Sequence, residues 1–156
     1  MNIRLCYASN RNENRDDLLQ DLRDILTEAR DFNTRHCIYG VLYYADNAFF
    51  QCLEGEQHIV EHLFEKIKTD ARHLDVKHFS THYIEDYTFK RWSMKYVQRN
   101  TNIESFFLSL GEAHFNPLCL DEPRLKAFLE ALLLAEQSTL PLARKVGMVN
   151  RGVNPF

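Results

Sequence analysis

The stretch Ile38-Tyr39-Gly40-Val41-Leu42-Tyr43-Tyr44-Ala45-Asp46-Asn47-Ala48-Phe49-Phe50-Gln51-Cys52-Leu53-Glu54-Gly55 decides the fold. Two apolar, aromatic-rich runs, Ile38–Ala45 and Ala48–Leu53, flank Asp46-Asn47, two residues that tolerate positive φ and so make a tight hairpin turn. Gly55 breaks the second run. Beyond it Ile59, Val60, Leu63, Phe64 and Ile67 recur at three- and four-residue steps, a helical stripe that lasts to the polar stretch Thr69–His73. On the N-terminal side, Ile3–Ser9 alternates as a strand with Ile3, Leu5 and Tyr7 on one face. Polar Asn10–Asn14 follows, with Asp16 and Asp17 placed to suit the positive end of a helix dipole. Leu18, Leu19, Leu22, Ile25, Leu26 and Ala29 then form one stripe on a helix reaching about Phe32 and ending near Asn33. Val76–Ile84 and Ser93–Val97 read as two more strands.

The order β-α-β-β-α-β-β is the split βαβ arrangement of ferredoxin-like folds. The expected class is α+β: a βαββαβ core with an extra strand, over residues 1–98. Ile103–Leu110 and Arg124–Ala135 read as two further amphipathic helices around Asn116-Pro117. Residues 99–139 are therefore expected to be a helical cap on the second face of the sheet, and 140–156, with Arg144, Lys145 and Arg151, a loose basic tail.

The chain has 156 residues and a net charge of −3. A chain of this size buries about 70% of its unfolded surface without needing staples. A mildly acidic balance gives no general attraction to nucleic-acid phosphates, and no apolar run approaches the length of a membrane helix. The N-terminus enters a strand-like pattern at once, so a cytoplasmic location is expected. Cys6, Cys37, Cys52 and Cys119 show no C-x-x-C pairing and read as reduced, buried thiols.

Several chemistries fail on spacing. His58 and His62 stand at i and i+4 of a helix without the zinc-protease pattern, and His78 and His82 share a strand face, yet nothing requires the two elements to meet. The five glycines are isolated, which removes phosphate loops and dinucleotide fingerprints. Cys37 beside His36, read as strand neighbours, would point to opposite faces. The aromatic signature of RNA-binding sheets is missing. What remains is Gln51, a carboxamide inside an apolar strand, where an unsatisfied amide costs about 1–3 kcal/mol. Its cheapest partner is Tyr7, because the split βαβ topology sets the first and third strands side by side. The pair is either ordinary core that satisfies itself or part of a larger site.

Tyr7, Asn33, Phe49-Phe50-Gln51-Cys52-Leu53-Glu54-Gly55 and Arg91-Trp92-Ser93-Met94, in this order and at these spacings, resemble the BLUF family of flavin-binding blue-light sensors over residues 1 to about 98. The resemblance implies FAD between the two helices. Ile25 and Ile67 would close on the ring faces, though both also read as plain core. Asn33 would meet the carbonyl and imide edge, or else cap its helix. Lys66 and Asp70 would hold the pyrimidine edge or ribityl side, or form a solvated i,i+4 pair. It further implies that Tyr7 and Gln51 switch their hydrogen bonding on illumination, Tyr7 as electron and proton donor and Gln51 by rotation or tautomerisation. The segment carrying Trp92 and Met94 would pass the change on. Phe32 departs from the Asn or His that many members carry there.

Some members carry a cyclase or phosphodiesterase domain, but too few residues follow Gln98 for either. The expected output is therefore non-catalytic: light-dependent binding of a downstream regulatory protein, such as a regulator of transcription. Two alternatives stay open, a small hydrolase using His36, His73 or Lys66 and a light-independent adaptor.

Overall fold

A computed structural model describes residues 1–15 and 17–140 and has the element order β1 (Asn2–Arg11), α1 (Leu18–His36), β2 (Tyr39–Ala45), β3 (Ala48–Glu56), α2 (Gln57–Lys68), β4 (His73–Tyr83), β5 (Lys95–Gln98), α3 (Thr101–Ser109) and α4 (Glu122–Leu134), with a 3-10 turn at Pro117–Cys119. Asp46 and Asn47 have φ of 51° and 64°, positive at both central positions as a type I′ hairpin requires. The sheet order is β4-β1-β3-β2-β5, antiparallel except for the β2–β5 pair. This is the ferredoxin-like α+β arrangement with its extra strand at one edge.

The sheet separates two cores. Ile3, Leu5, Tyr7, Leu42 and Phe49 pack against Leu22, Ile25 and Leu26 of α1 and Val60 and Phe64 of α2. On the other face Cys6, Ala8, Tyr43, Phe50, Cys52 and Val97 pack against Ile103 and Phe107 of α3 and Leu125, Phe128 and Leu132 of α4. Strand alternation thus sends neighbouring residues to different cores, and the two C-terminal helices occupy the second face. After α4 the chain turns back along the outer edge of β5: the Ser138 amide donates to Tyr96 O at 2.8 Å, and the Gln98 amide donates to Ser138 Oγ at 3.0 Å. Leu140 reaches the first core. The basic residues of the expected tail, Arg144, Lys145 and Arg151, lie outside the described residues.

Three expectations change. The helix of Leu18–Ala29 runs on past Asn33 to His36 and is capped by Cys37, which adopts a left-handed φ of 55° and donates its amide to Asn33 O. Cys37 is therefore exposed and belongs to no strand, whereas Cys6 and Cys52 are buried and Cys119 is half-buried. His78 and His82 do not share a face. One extra residue of β4 lies between the pairs Tyr7↔His78 and Leu5↔Thr81, and such a bulge reverses the alternation. His78 stacks on Phe64 of α2 at 5.1 Å, and His82 meets Glu122 of α4 at 3.0 Å.

Gly40 of β2 faces Leu53 in register, and a Cβ there would lie 2.1 Å from the backbone oxygen of Cys52. Strand backbone cannot yield as a side chain does. Gly40→Ala is expected to cost about 1–3 kcal/mol, seen as a lower urea midpoint with unchanged slope. A wild-type midpoint would contradict the close approach.

Candidate functional site

The antiparallel register of β1 on β3 sets Tyr7 opposite Gln51, both on the face covered by α1 and α2. The Tyr7 hydroxyl donates to Gln51 Oε1, and Gln51 Nε2 in turn donates to Met94 Sδ at 3.6 Å. All three side chains are buried. Burial pushes the Tyr7 phenol far above its ordinary pKa, with Asp70 adding to the effect. The phenol is thus a fixed proton donor, and the carboxamide carries the polarity of this bond to the sulfur beyond it.

Above this floor lies a cleft of about 360 Å³ between α1 and α2, lined by Tyr7, Gln51, Ile25, Asn33, Lys66 and Ile67 among others. That volume falls within the range of small-molecule and cofactor sites. Asn33 donates from Nδ2 to Ser93 O at 2.7 Å, while its Oδ1 is buried and has no hydrogen-bond partner among the described residues. An orphaned buried acceptor costs about 1–3 kcal/mol. A ligand with an N–H, such as the imide of an isoalloxazine ring, removes that cost.

At one end of the cleft Arg72 bridges Asp70 at 2.6 Å and Glu28 of α1 at 2.9 Å. Burial acts to raise the Asp70 pKa, but the Arg72 hydrogen bonds and charge outweigh it and hold the carboxyl below the usual range. Asp70 thus pairs with Arg72 and not with Lys66, because α2 ends at Lys68 and the helical i,i+4 relation is lost. Trp92 packs on the second-face core, with the Lys95 ammonium 4.3 Å from its ring centre, while Met94 of the two hydrogen-bonds Gln51. His36 stacks on Phe32 at 4.2 Å and does not line the cleft, so His36, His73 and Lys66 do not converge on one point. No group of three or more metal-ligating side chains occurs among the described residues.

The model of the BLUF family, described as sensors of blue-light using FAD, matches residues 3–95. The chain belongs to the BLUF family. It is similar to a solved structure of BlsA in its ground state, at 67% identity over 97% of this chain and 100% of that one, with a TM-score of 0.88. The photo-activated state of BlsA matches at 68% identity over 89% of this chain and 99% of that one, TM-score 0.87. The dark-state structure of BlrB, a BLUF protein, matches at 28% identity over 85% and 94%, TM-score 0.70. No curated protein sequence matches the chain.

In this BLUF chain several site residues were not singled out by sequence reasoning for the roles they hold. Arg72 sat in a polar stretch read only as a helix terminator. Glu54, fully buried, accepts from Arg4 Nε at 2.9 Å and from the Phe89 amide at 2.9 Å, so it pins the crossover that leads to Trp92 and Met94. Arg30 of α1 holds Met94 O at 3.1 Å. Their signal is a charged residue at an apolar-facing position, which reads as noise until the partner strand is known.

His73 was weighed only as a hydrolase residue, and the structure uses it in the cleft wall. It lies against Tyr7 and Phe49, 2.7 Å from Ser9 Oγ, and burial lowers its pKa to about 4. An unfolded histidine titrates near ~6.5. Across the interval between, the unfolded chain binds more protons, so stability is complete above it and lost as pH falls through it. Urea midpoints should therefore drop more steeply between about pH 6.5 and 4 for the wild type than for His73→Gln. Parallel pH profiles would contradict the buried neutral imidazole.

Proposed function

We propose that this chain is a non-catalytic, cytoplasmic blue-light receptor that holds FAD in the α1–α2 cleft and controls the binding of a downstream regulatory protein. The observation that carries it is the buried Tyr7–Gln51 pair in the lining of the cleft, with Met94 behind Gln51, together with Asn33 Oδ1, a buried acceptor of the same cleft that has no hydrogen-bond partner among the described residues. Asn33, Lys66, Asp70 and Arg72 would hold the polar parts of the cofactor, and Ile25 and Ile67 its faces. When bound, the flavin supplies blue-light absorption and an electron-accepting excited state.

The residues of the chain do the rest. A phenol that loses an electron becomes a strong acid, and Tyr7 holds its proton in a bond to Gln51 Oε1, ready to be passed and returned. Rotation or tautomerisation of Gln51 exchanges a donor for an acceptor toward both Tyr7 and Met94, and the two arrangements differ in energy through these bonds. Met94 leads directly into β5. From there Lys95 donates to Leu133 O, at the end of α4, at 2.9 Å, and Tyr96 and Gln98 are tied to Ser138. These ties give a change at Gln51 a short route to the C-terminal helices, the part of the chain where a partner would read it.

The non-catalytic reading is supported by the match along the whole of BlsA at 67% identity. Purified protein should be yellow, release FAD and not FMN on denaturation, and shift its absorption reversibly to the red under blue light. Tyr7→Phe should retain the flavin and lose the shift. Colourless protein that does not take up FAD would overturn the receptor, and a normal photocycle in Tyr7→Phe would overturn the donor role.

A further inference from the structure

The rung of the sheet next to Tyr7–Gln51 carries two cysteines. Cys6 of β1 and Cys52 of β3 are direct antiparallel partners. Both point into the second core, where they are 2% and 0% exposed. Residues directly opposite in an antiparallel pair have Cα atoms about 4.5–5.5 Å apart, and disulfides accept about 4.4–6.8 Å. Burial first, and then the neighbouring Cys6 thiol, raises the Cys52 pKa. The Tyr7–Gln51 switch uses neither sulfur.

Access comes from one side. A groove of about 500 Å³ between β4, β1 and α4 reaches Cys6. Leu125 and Leu129 give it an apolar part and Arg4 and Lys126 a charged one, and the His82–Glu122 contact joins β4 to α4 within its lining. A solute of the size of hydrogen peroxide fits such an opening.

We propose that Cys6 and Cys52 form a redox-sensitive dithiol that hydrogen peroxide closes to a disulfide, and that this closure tunes the adjacent Tyr7–Gln51 pair. The reaction balances in two steps. Cys6 first gives up its proton and its thiolate Sγ attacks a peroxide oxygen; the S–O bond forms as the O–O bond breaks, and the departing hydroxide takes up a proton and leaves as water. Cys52 Sγ then attacks the sulfenic sulfur, the S–S bond forms as the S–O bond breaks, and a second water carries away the Cys52 proton. The sulfurs lose two electrons and the peroxide gains them. Facing Cβ atoms stand about 4.5–5.5 Å apart, and a disulfide draws them to about 3.8 Å. The strands therefore close at the rung beside the switch, where a small change of spacing alters the hydrogen bond between a phenol and a carboxamide.

The coupling half of this proposal rests on the receptor reading above; the disulfide itself does not. Full-length flavin-loaded protein carrying Cys37→Ser, which removes the exposed thiol, is treated in the dark with hydrogen peroxide, alkylated and digested. Peptide mass spectrometry should find Cys6 joined to Cys52, lighter by two hydrogens. Dark recovery after a blue flash should change by about threefold or more, equivalent to about 0.6 kcal/mol in the barrier, and dithiothreitol should restore it. Cys6→Ser and Cys52→Ala should each be unaffected by peroxide. Unjoined Cys6 and Cys52 at peroxide concentrations that oxidise Cys37 fully in the unsubstituted protein would overturn the site. A cross-link with unchanged recovery would overturn the coupling. A cross-link in protein with no photocycle at all would overturn the coupling and the receptor reading together while leaving the disulfide standing.

Discussion

A carboxamide in the middle of an apolar strand is the constraint on which this structure turns. Gln51 brings two donors and an acceptor into a core that has little to offer them. The fold answers by pairing β1 with β3 in the register that sets Tyr7 opposite it, and by carrying Met94 on the crossover to its other side. Each partner is held in turn. Arg30 and Asn33 fix the backbone at Met94 and Ser93, and Glu54 fixes the start of the same crossover at Phe89. A network with few alternatives inside a dense core has discrete arrangements and not a continuum, which is the property a switch requires.

The sheet divides labour between its faces. Tyr7 and Gln51 look toward α1 and α2, while Cys6 and Cys52, one residue away on the same strands, look toward α3 and α4. The start of β5 joins the two sides because Met94, just ahead of the strand, and Lys95 and Tyr96 within it alternate in direction. Met94 and Tyr96 belong to the first core, and Lys95, almost fully buried, reaches through the second to the last turn of α4. Burial lowers the Lys95 pKa, with Arg91 contributing. An ammonium kept there is held by a helix C-terminal carbonyl and an aromatic face, both favourable to positive charge.

Much of this was legible in the residues. Asp46-Asn47 specified a turn with positive φ, and the unsatisfied amide of Gln51 specified Tyr7, since the strand order left no cheaper partner. Apolar stripes named the faces of α1 and α2. The misreadings share a cause: each depended on one residue of register or cap that the pattern does not carry. A bulge in β4 parted His78 from His82. A left-handed Cys37, where glycine or asparagine is usual, extended α1 past Asn33 and freed that side chain to face the cleft. The end of α2 at Lys68 gave Asp70 to Arg72. Trp92 and Met94, two residues apart, were expected to act together; the chain reaches β5 only at Lys95, and ahead of it the turn at Phe89–Trp92 directs the indole to the opposite core from the thioether.

The most direct test of the account is isotope-edited infrared difference spectroscopy of flavin-loaded protein with labelled glutamine side chains, recorded before and after blue light. The account requires label-sensitive carboxamide bands that appear on illumination, decay with the recovery of the dark absorption, and are missing in Gln51→Ala. A red-shifted product formed with no label-sensitive band would contradict it and place the switching bond elsewhere in the cleft.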